Sequence, residues 1–435
     1  MKLWTNRSSF LNIELADMIK YIKKHAMFGV IFTSAKALVY FVPLLLADVL
    51  TTSDFGILEY ALAGLGMVTN ALFNLGVPGA YPYFIIRKEQ SEVKHGFSLH
   101  PIILLIPFLI NQIAYFVLDL DLSFYLAFNI SYIISNQVFY STQLKSHEKS
   151  SFAVILDSGL YIVLFLLFIA YKVGLTDTDI NTINTFILCY SFIYIFIAIY
   201  SFLRNKRKNL VTAYKTILRF SIHLLISTFL IFLITTSGRI LVEYFFGFEE
   251  VGVYAFYFRL AAIVVMIHQV INIAFFKKIY TANPLVLDKY FSIFFVLISI
   301  LSIIIYLVSP YIVRHLSDFF NNTYERFNDI YFILSAQMVM WIASALNSNI
   351  IDRENLAKKN NVFFFLLILL VLVLIYLFRY KMTFSDLIYI HFSSIYIACM
   401  IQFFSLSRKR IFFKKTGAIL TLIFIFQSSY YFINF

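Results

Sequence analysis

The chain is built from apolar stretches of about twenty residues, the length that crosses a bilayer core of about 30 Å at 1.5 Å per helical residue. Thirteen can be placed, at 26–49, 55–84, 99–118, 122–144, 152–172, 183–203, 217–245, 251–276, 289–311, 328–351, 361–379, 385–406 and 416–434. In hydrocarbon each segment must satisfy its own backbone hydrogen bonds, so such a chain folds as helices. The expected fold is an all-α polytopic membrane protein with twelve core transmembrane helices. A thirteenth, C-terminal helix is added if 416–434 also spans, so the side of the C-terminus stays open. Composition agrees, because 61% of 435 residues are hydrophobic, 13% are charged and mean hydropathy is +0.83. Those values exclude a soluble domain and a disordered chain.

A net charge of +12 would suggest a polyanionic partner in a soluble protein. Position gives it another meaning. Of 35 Lys and Arg residues, 27 lie in the N-terminal segment and the alternate loops 86–98, 145–151, 204–219, 277–289, 352–360 and 407–416. The opposite loops hold five: Lys172, Arg314, Arg326, Arg379 and Lys381. The positive-inside rule therefore puts the N-terminus in the cytoplasm, and no nucleic-acid partner is expected. In residues 1–25, Leu15, Met18, Ile19 and Ile22 recur at helical spacing opposite charged residues. This predicts an amphipathic helix on the cytoplasmic surface, with no cleaved signal peptide.

No loop is long enough for a catalytic domain, and there is no P-loop, HExxH or GxSxG motif. Cys189 and Cys399 stand alone in apolar runs, without disulfide or metal spacing. The expectation is a protein that is not an enzyme and holds neither cofactor nor metal.

Residues 45–62 (LLADVLTTSDFGILEYAL) and 241–258 (LVEYFFGFEEVGVYAFYF) are related by a shift of 196, with Asp54-Phe55-Gly56-Ile57 over Glu250-Val251-Gly252-Val253. A repeat at nearly half the chain length suggests two six-helix bundles. Coincidence of an acid, an apolar residue and glycine in two outer turns is the plainer alternative. The divisions expected are 1–25, a first bundle at 26–203, a basic cytoplasmic linker at 204–219, a second bundle at 220–406, and 407–435 as a basic loop with the extra helix.

Residues 238–280, from Gly238 to Tyr280, together with the first 90 residues, resemble the polysaccharide flippases of the Wzx type, O-antigen translocases of the multidrug/oligosaccharidyl-lipid/polysaccharide exporter superfamily. The resemblance covers the whole chain in span layout and about 130 residues in detail. It departs at Gly238, where the family often has an acid before the arginine of span 7. It implies transfer of an undecaprenyl-diphosphate-linked oligosaccharide, an O-antigen or capsule repeat unit, across the bacterial inner membrane by alternating access. It also implies that basic residues on spans 1 and 8 hold the pyrophosphate, and that a polysaccharide polymerase is a partner.

Three cations fall inside spans: Lys36, Arg239 and Arg259. Each costs about 2.5–3.5 kcal/mol on insertion scales, so each needs a counter-ion, an aqueous cavity or a route to the interface. Lys36 is about 15 Å into span 1 and Arg259 about 12 Å into span 8. These two, with Arg239, suit a cationic cavity that meets phosphates, the alternative being a structural ion pair. At the outer end, Arg239 can pair with Glu59 or Asp48 as a gate, or with Glu243 four residues along its own helix. Asp157, His268 and His391 are candidates for coupling to a proton or sodium ion, with structural roles as the alternative. Pro43 can kink span 1. Gly76, Pro78 and Gly79 give span 2 either a hinge or simply its end at Pro78. Tyr81, Tyr83, Tyr244, Tyr254 and Tyr257 fit interfacial belts among the membrane lipids.

Two other readings compete. A multidrug exporter of the same superfamily needs acidic cavities for cationic drugs, whereas the deepest charges here are basic. A polysaccharide polymerase or membrane acyltransferase needs a catalytic outer loop, for which 312–327 is the longest candidate, or a His/Asp pair inside the membrane.

Overall fold

The computed structural model describes residues 27–90, 92–177, 179–204, 209–268, 282–354 and 356–435. Among these the regular structure is entirely helical. The first half comprises α1 (Met27–Ala47), α2 (Thr52–Ala63), α3 (Leu65–Asn74), α4 (Val77–Pro82), α5 (His100–Leu118), α6 (Leu122–Ser146), α7 (Ser150–Asp157), α8 (Gly159–Lys172) and α9 (Ile180–Arg204). The second comprises α10 (Leu210–Thr235), α11 (Gly238–Phe246), α12 (Phe248–Ala261), α13 (Pro284–Ile312), α14 (Asp318–Arg353), α15 (Ala357–Phe378), α16 (Phe384–Ser407) and α17 (Lys414–Asn434). The predicted surface helix at 1–25 lies outside the described residues.

Ten helical stretches among the described residues, α2 with α3 counted as one, are long and apolar enough to cross a membrane, and α7 with α8, bent by 54°, makes an eleventh. This is a multi-pass membrane protein. The other two predicted spans are α6 and α12, and their sequences explain why they are less apolar. Helix α6 carries Asn129, Ser131, Ser135, Asn136 and Gln137, all buried among its neighbours and away from lipid. Its polar groups bond to the facing α3: Ser131 Oγ donates to Gly66 O at 2.8 Å, Ser135 Oγ to Asn70 Oδ1 at 2.8 Å, and Thr69 meets Ser131. Helix α12 carries Glu249, Glu250 and Arg259.

Helix starts follow local chemistry. Asp121 caps α6 by accepting from Ser123 N at 2.8 Å. Asn283 caps α13, with Pro284 in its first turn. Thr383 and Asp386 form a reciprocal capping box on α16. Much of the basic stretch at 204–219 is helical, because α10 begins at Leu210, seven residues before its predicted span. The amphipathic start Leu210-Val211-Thr212-Ala213-Tyr214 packs Tyr214 inward, its hydroxyl 3.0 Å from His100 Nδ1.

Span 2 is broken rather than ended. Helix α3 stops at Asn74, and Leu75 and Gly76 are both left-handed, at φ 51° and 69°. Helix α4 then starts with Pro78 in its first turn, so Pro78 opens a helix and does not terminate one. A side chain at Gly76 would lie 2.3 Å from Ser221 O, so this break packs directly on α10. Gly79 also faces that helix, near Leu224.

Candidate functional site

The two repeat segments meet each other. Helices α2 and α12 cross at their matching glycines: a Cβ on Gly56 would stand 1.8 Å from Phe248 O, and one on Gly252 would stand 2.5 Å from Thr52 O. Only main chain fits there, so the two halves touch backbone to backbone.

One turn along α2 from Gly56 is Glu59, fully buried. Its carboxylate is shared. Arg239 Nη2 donates to Oε2 at 3.1 Å and Arg259 Nε to Oε1 at 2.5 Å. Both arginines belong to the second half and both are buried. Arg259 Nη1 also donates to Val39 O at 3.0 Å. That carbonyl is four residues before Pro43, whose missing N–H would otherwise be its helical partner. Pro43 thus frees, within α1, the acceptor that Arg259 takes. Arg239 is braced by rings, with its guanidinium 4.7 Å from the centre of Phe258 and 5.6 Å from that of Tyr254. The Tyr254 hydroxyl fills the space beside Gly238, where a Cβ would be 2.3 Å away.

The cluster has one carboxylate and two guanidiniums, a net charge of +1, shielded from water and joining the halves. Separating it would leave buried charges uncompensated, at about 3–5 kcal/mol for a partner lost. Asp48 closes the same end by a different route from the one expected. Its Oδ1 accepts from Ser317 Oγ at 2.7 Å and from Phe319 N at 3.0 Å, capping α14 instead of pairing with Arg239. The first turn of a helix offers N–H groups with no helical partner, and the carboxylate takes one of them. Phe55 stacks edge-on against Phe319 beside it, centroids 5.8 Å apart. We call this the latched end.

Toward the other end the charges are looser. Lys145 Nζ donates to Asp157 Oδ2 at 2.6 Å, with the two side chains 50% and 29% exposed. Asp157 is the last residue of α7, at the bend of the broken span. Half-buried Lys36 sits 5.9 Å over the Phe32 ring, in the field of Asp157 and Lys145. It is three residues from Val39, about 4.5 Å along α1. Ordered by the partners they share, Lys145 beside Asp157, Lys36 on α1, then Arg259 and Arg239 on Glu59, we read these four as a row of cations from the loose end to the latched end.

The remaining candidates fall elsewhere. Arg239 turns to Glu59, so the intrahelical pair with half-buried Glu243 does not form. His268 stands edge-on to Trp341, centroids 6.5 Å apart, and His391 is buried against Gly238. No cluster of three metal-ligating side chains occurs among the described residues. Tyr81, Tyr254 and Tyr257 do not form an interfacial belt but are buried, Tyr257 bonding Thr323 Oγ1 at 2.8 Å. Tyr244, 75% exposed, does face outward. Sequence reasoning passed over Asp288, whose Oδ1 accepts from Thr416 N at 2.8 Å and Thr416 Oγ1 at 2.7 Å and so seats the N-terminus of α17 on α13. A lone acid beside an apolar run was its only signal.

A family model described as polysaccharide biosynthesis protein matches residues 25–276, more than half of the chain. The match includes Lys36, Glu59, Asp157, Arg239 and Arg259. No curated protein and no solved structure gives a significant match.

Proposed function

The chain belongs to the polysaccharide biosynthesis protein family, and from that premise we propose that it is a flippase for an undecaprenyl-diphosphate-linked oligosaccharide. In this reading it is a carrier and not an enzyme. It works in the bacterial inner membrane with its N-terminus in the cytoplasm, so the latched end faces outward. The headgroup, an O-antigen or capsule repeat unit, passes between the halves while the lipid tail stays in the bilayer.

The observation that carries the reading is the row of cations with Glu59 at its end. Diphosphate cannot enter hydrocarbon unpaired, and Lys and Arg offer charge-assisted bonds along its route. Glu59 occupies both arginines now, and a phosphate reaching them would take its place as their counter-ion. Exchange of one anion for another loosens the latch without stranding the guanidiniums, which couples arrival of substrate to opening at the far end. The broken α3/α4 segment at Leu75–Gly76 is the hinge of this motion. With no ATP-binding motif, turnover draws on an ion gradient or the membrane potential. Asp157 is better placed than buried His268 or His391 to exchange a proton or sodium ion.

The test is where lipid-linked intermediates accumulate in cells carrying Lys36→Ala or Arg259→Ala at normal protein levels. The expected result is build-up on the inner leaflet in both. Normal surface polysaccharide in both variants overturns the reading, and drug resistance conferred by the parent chain favours the exporter alternative.

A further inference from the structure

A second site, away from the row of cations, lies at the latched end. The turn from α13 into α14 leaves a cavity of about 410 Å³ against α1 and α8. Its charged lining is Lys172 from the first half, Arg314, His315 and Asp318 from the second, and Asp48. Asp48 is already engaged, bonded to Ser317 and Phe319. Lys172 lies by the rings of Phe168 and Tyr171, its Nζ 5.5 and 5.7 Å from their centres. Arg314 rests on Tyr324 and reaches Glu325 at 2.6 Å, but that glutamate is 81% exposed, so solvent screens the pair and leaves the guanidinium available.

The cavity thus sets two permanent cations and an imidazole beside one exposed carboxylate, Asp318. Two cations against two carboxylates make the lining near neutral, so a purely anionic ligand gains little from it. A ligand carrying both signs gains at each pole. Leu316 in the lining is 73% exposed, and Tyr311 and Ile312 just before Arg314 in the chain are 77% and 55% exposed, an apolar surface that suits a membrane interface.

We propose that this cavity holds the headgroup of a zwitterionic phospholipid with a primary ammonium, its phosphate on Lys172 and Arg314 and its ammonium on Asp318. Because Lys172 belongs to one half and Arg314 and Asp318 to the other, the bound lipid ties the halves together and stabilises the latched state. The inference does not depend on what the protein transports.

The experiment uses the purified full chain in detergent, with lipid retention followed by native mass spectrometry and stability by thermal melting. Phosphatidylethanolamine, phosphatidylcholine, phosphatidylglycerol and a prenyl diphosphate are added separately. Phosphatidylethanolamine should be retained and should raise the melting temperature. Phosphatidylcholine, which cannot donate to Asp318, should bind about tenfold more weakly, the loss of one charge-assisted bond. Lys172→Ala with Arg314→Ala should abolish retention and keep the lipid-free melting temperature, since both side chains are exposed. Should that variant fail to fold, Asp318→Asn decides, by losing the preference for phosphatidylethanolamine over phosphatidylcholine. Equal retention of the three phospholipids, a preference for phosphatidylglycerol, or unchanged binding by the variants overturns the proposal. Displacement of phosphatidylethanolamine by the prenyl diphosphate also overturns it, assigning the cavity to the transport route.

Discussion

Glu59 and Asp157 are each a carboxylate among cations, and the contrast between them organises the molecule. Glu59 is sealed from water, holds two arginines of the other half, and cannot release them without a replacement charge. Asp157 is 29% exposed, bonds a lysine of its own half, and can exchange that partner for water at little cost. The same chemistry is a latch in one place and a loose tether in the other because burial sets the energy of separation. Substrate that exchanges ions in stages, first where exchange is cheap and then where it is expensive, meets a rising demand for its phosphates along the route.

The largest expected effect is at the latch. Glu59→Ala strands two buried guanidiniums and should destabilise the protein by about 3–5 kcal/mol, read by melting in detergent. If Asp157→Ala costs as much, the contrast fails. A sharper version replaces all three members with apolar residues, Glu59→Leu, Arg239→Met and Arg259→Met. A packed apolar cluster should recover most of the stability, while transport stays lost because no cation remains to receive phosphate. Recovery of transport along with stability would reduce the triad to structural packing.

Next in size is the crossing of α2 and α12. Gly56→Val drives a branched side chain into Phe248 O and should cost about 1–3 kcal/mol, as overpacking does. The strain falls on the latched end alone. A cysteine introduced at buried Ser317, 8% exposed in the parent chain, should then react with a water-soluble maleimide severalfold faster than in the Gly56 background. An unchanged labelling rate would show that the halves separate elsewhere.

Much of this was legible in the sequence. Span length and hydropathy gave the layout, and the repeat at Gly56 and Gly252 marked the two turns that now meet. Arg239 with Glu59 is one of the pairings that their shared depth at the outer end allows. That Arg259 shares the same carboxylate was not legible, since helical spacing gives the face of one helix and not which helix it meets. Pro43 shows the limit well. Its ring announces a free carbonyl at Val39, but nothing in one chain's spacing says that an arginine 220 residues away will use it. The polar face of α6 was hidden for a related reason: Asn and Ser inside a span read as weak hydropathy until α3 is seen opposite.

Arg259→Lys tests whether that geometry matters. A single ammonium cannot reach Glu59 and the Val39 carbonyl with the guanidinium's fork, so charge is kept and one of two bonds is lost. Stability should fall by about 1.5–3 kcal/mol, the net value of a hydrogen bond to a charged group. That is less than for Glu59→Ala, because the carboxylate keeps Arg239. Equal losses in the two variants would mean that the latch depends on the fork and not on charge compensation.

The smallest effect on stability, and the most informative on rate, belongs to the loose end. Asp157→Asn should change melting by less than about 1 kcal/mol, since the Lys145 pair is exposed and screened. Its effect on transport has a definite sign. Asp157 competes with incoming phosphate for Lys145 and for the field at Lys36, so removing its charge should tighten the first grip and lower the substrate concentration at half-maximal flux. Release from that grip is then slower, so the maximal rate should fall with it. Lys36→Ala should do the reverse to half-saturation, raising it about tenfold for one charge-assisted bond lost. Raising salt from 50 to 500 mM should shrink the Asp157→Asn difference, because the Debye length falls to about 4 Å and the exposed charges are screened from incoming phosphate, while the Glu59→Ala defect persists behind its apolar shell. Should both defects respond to salt alike, burial is not what separates the two carboxylates.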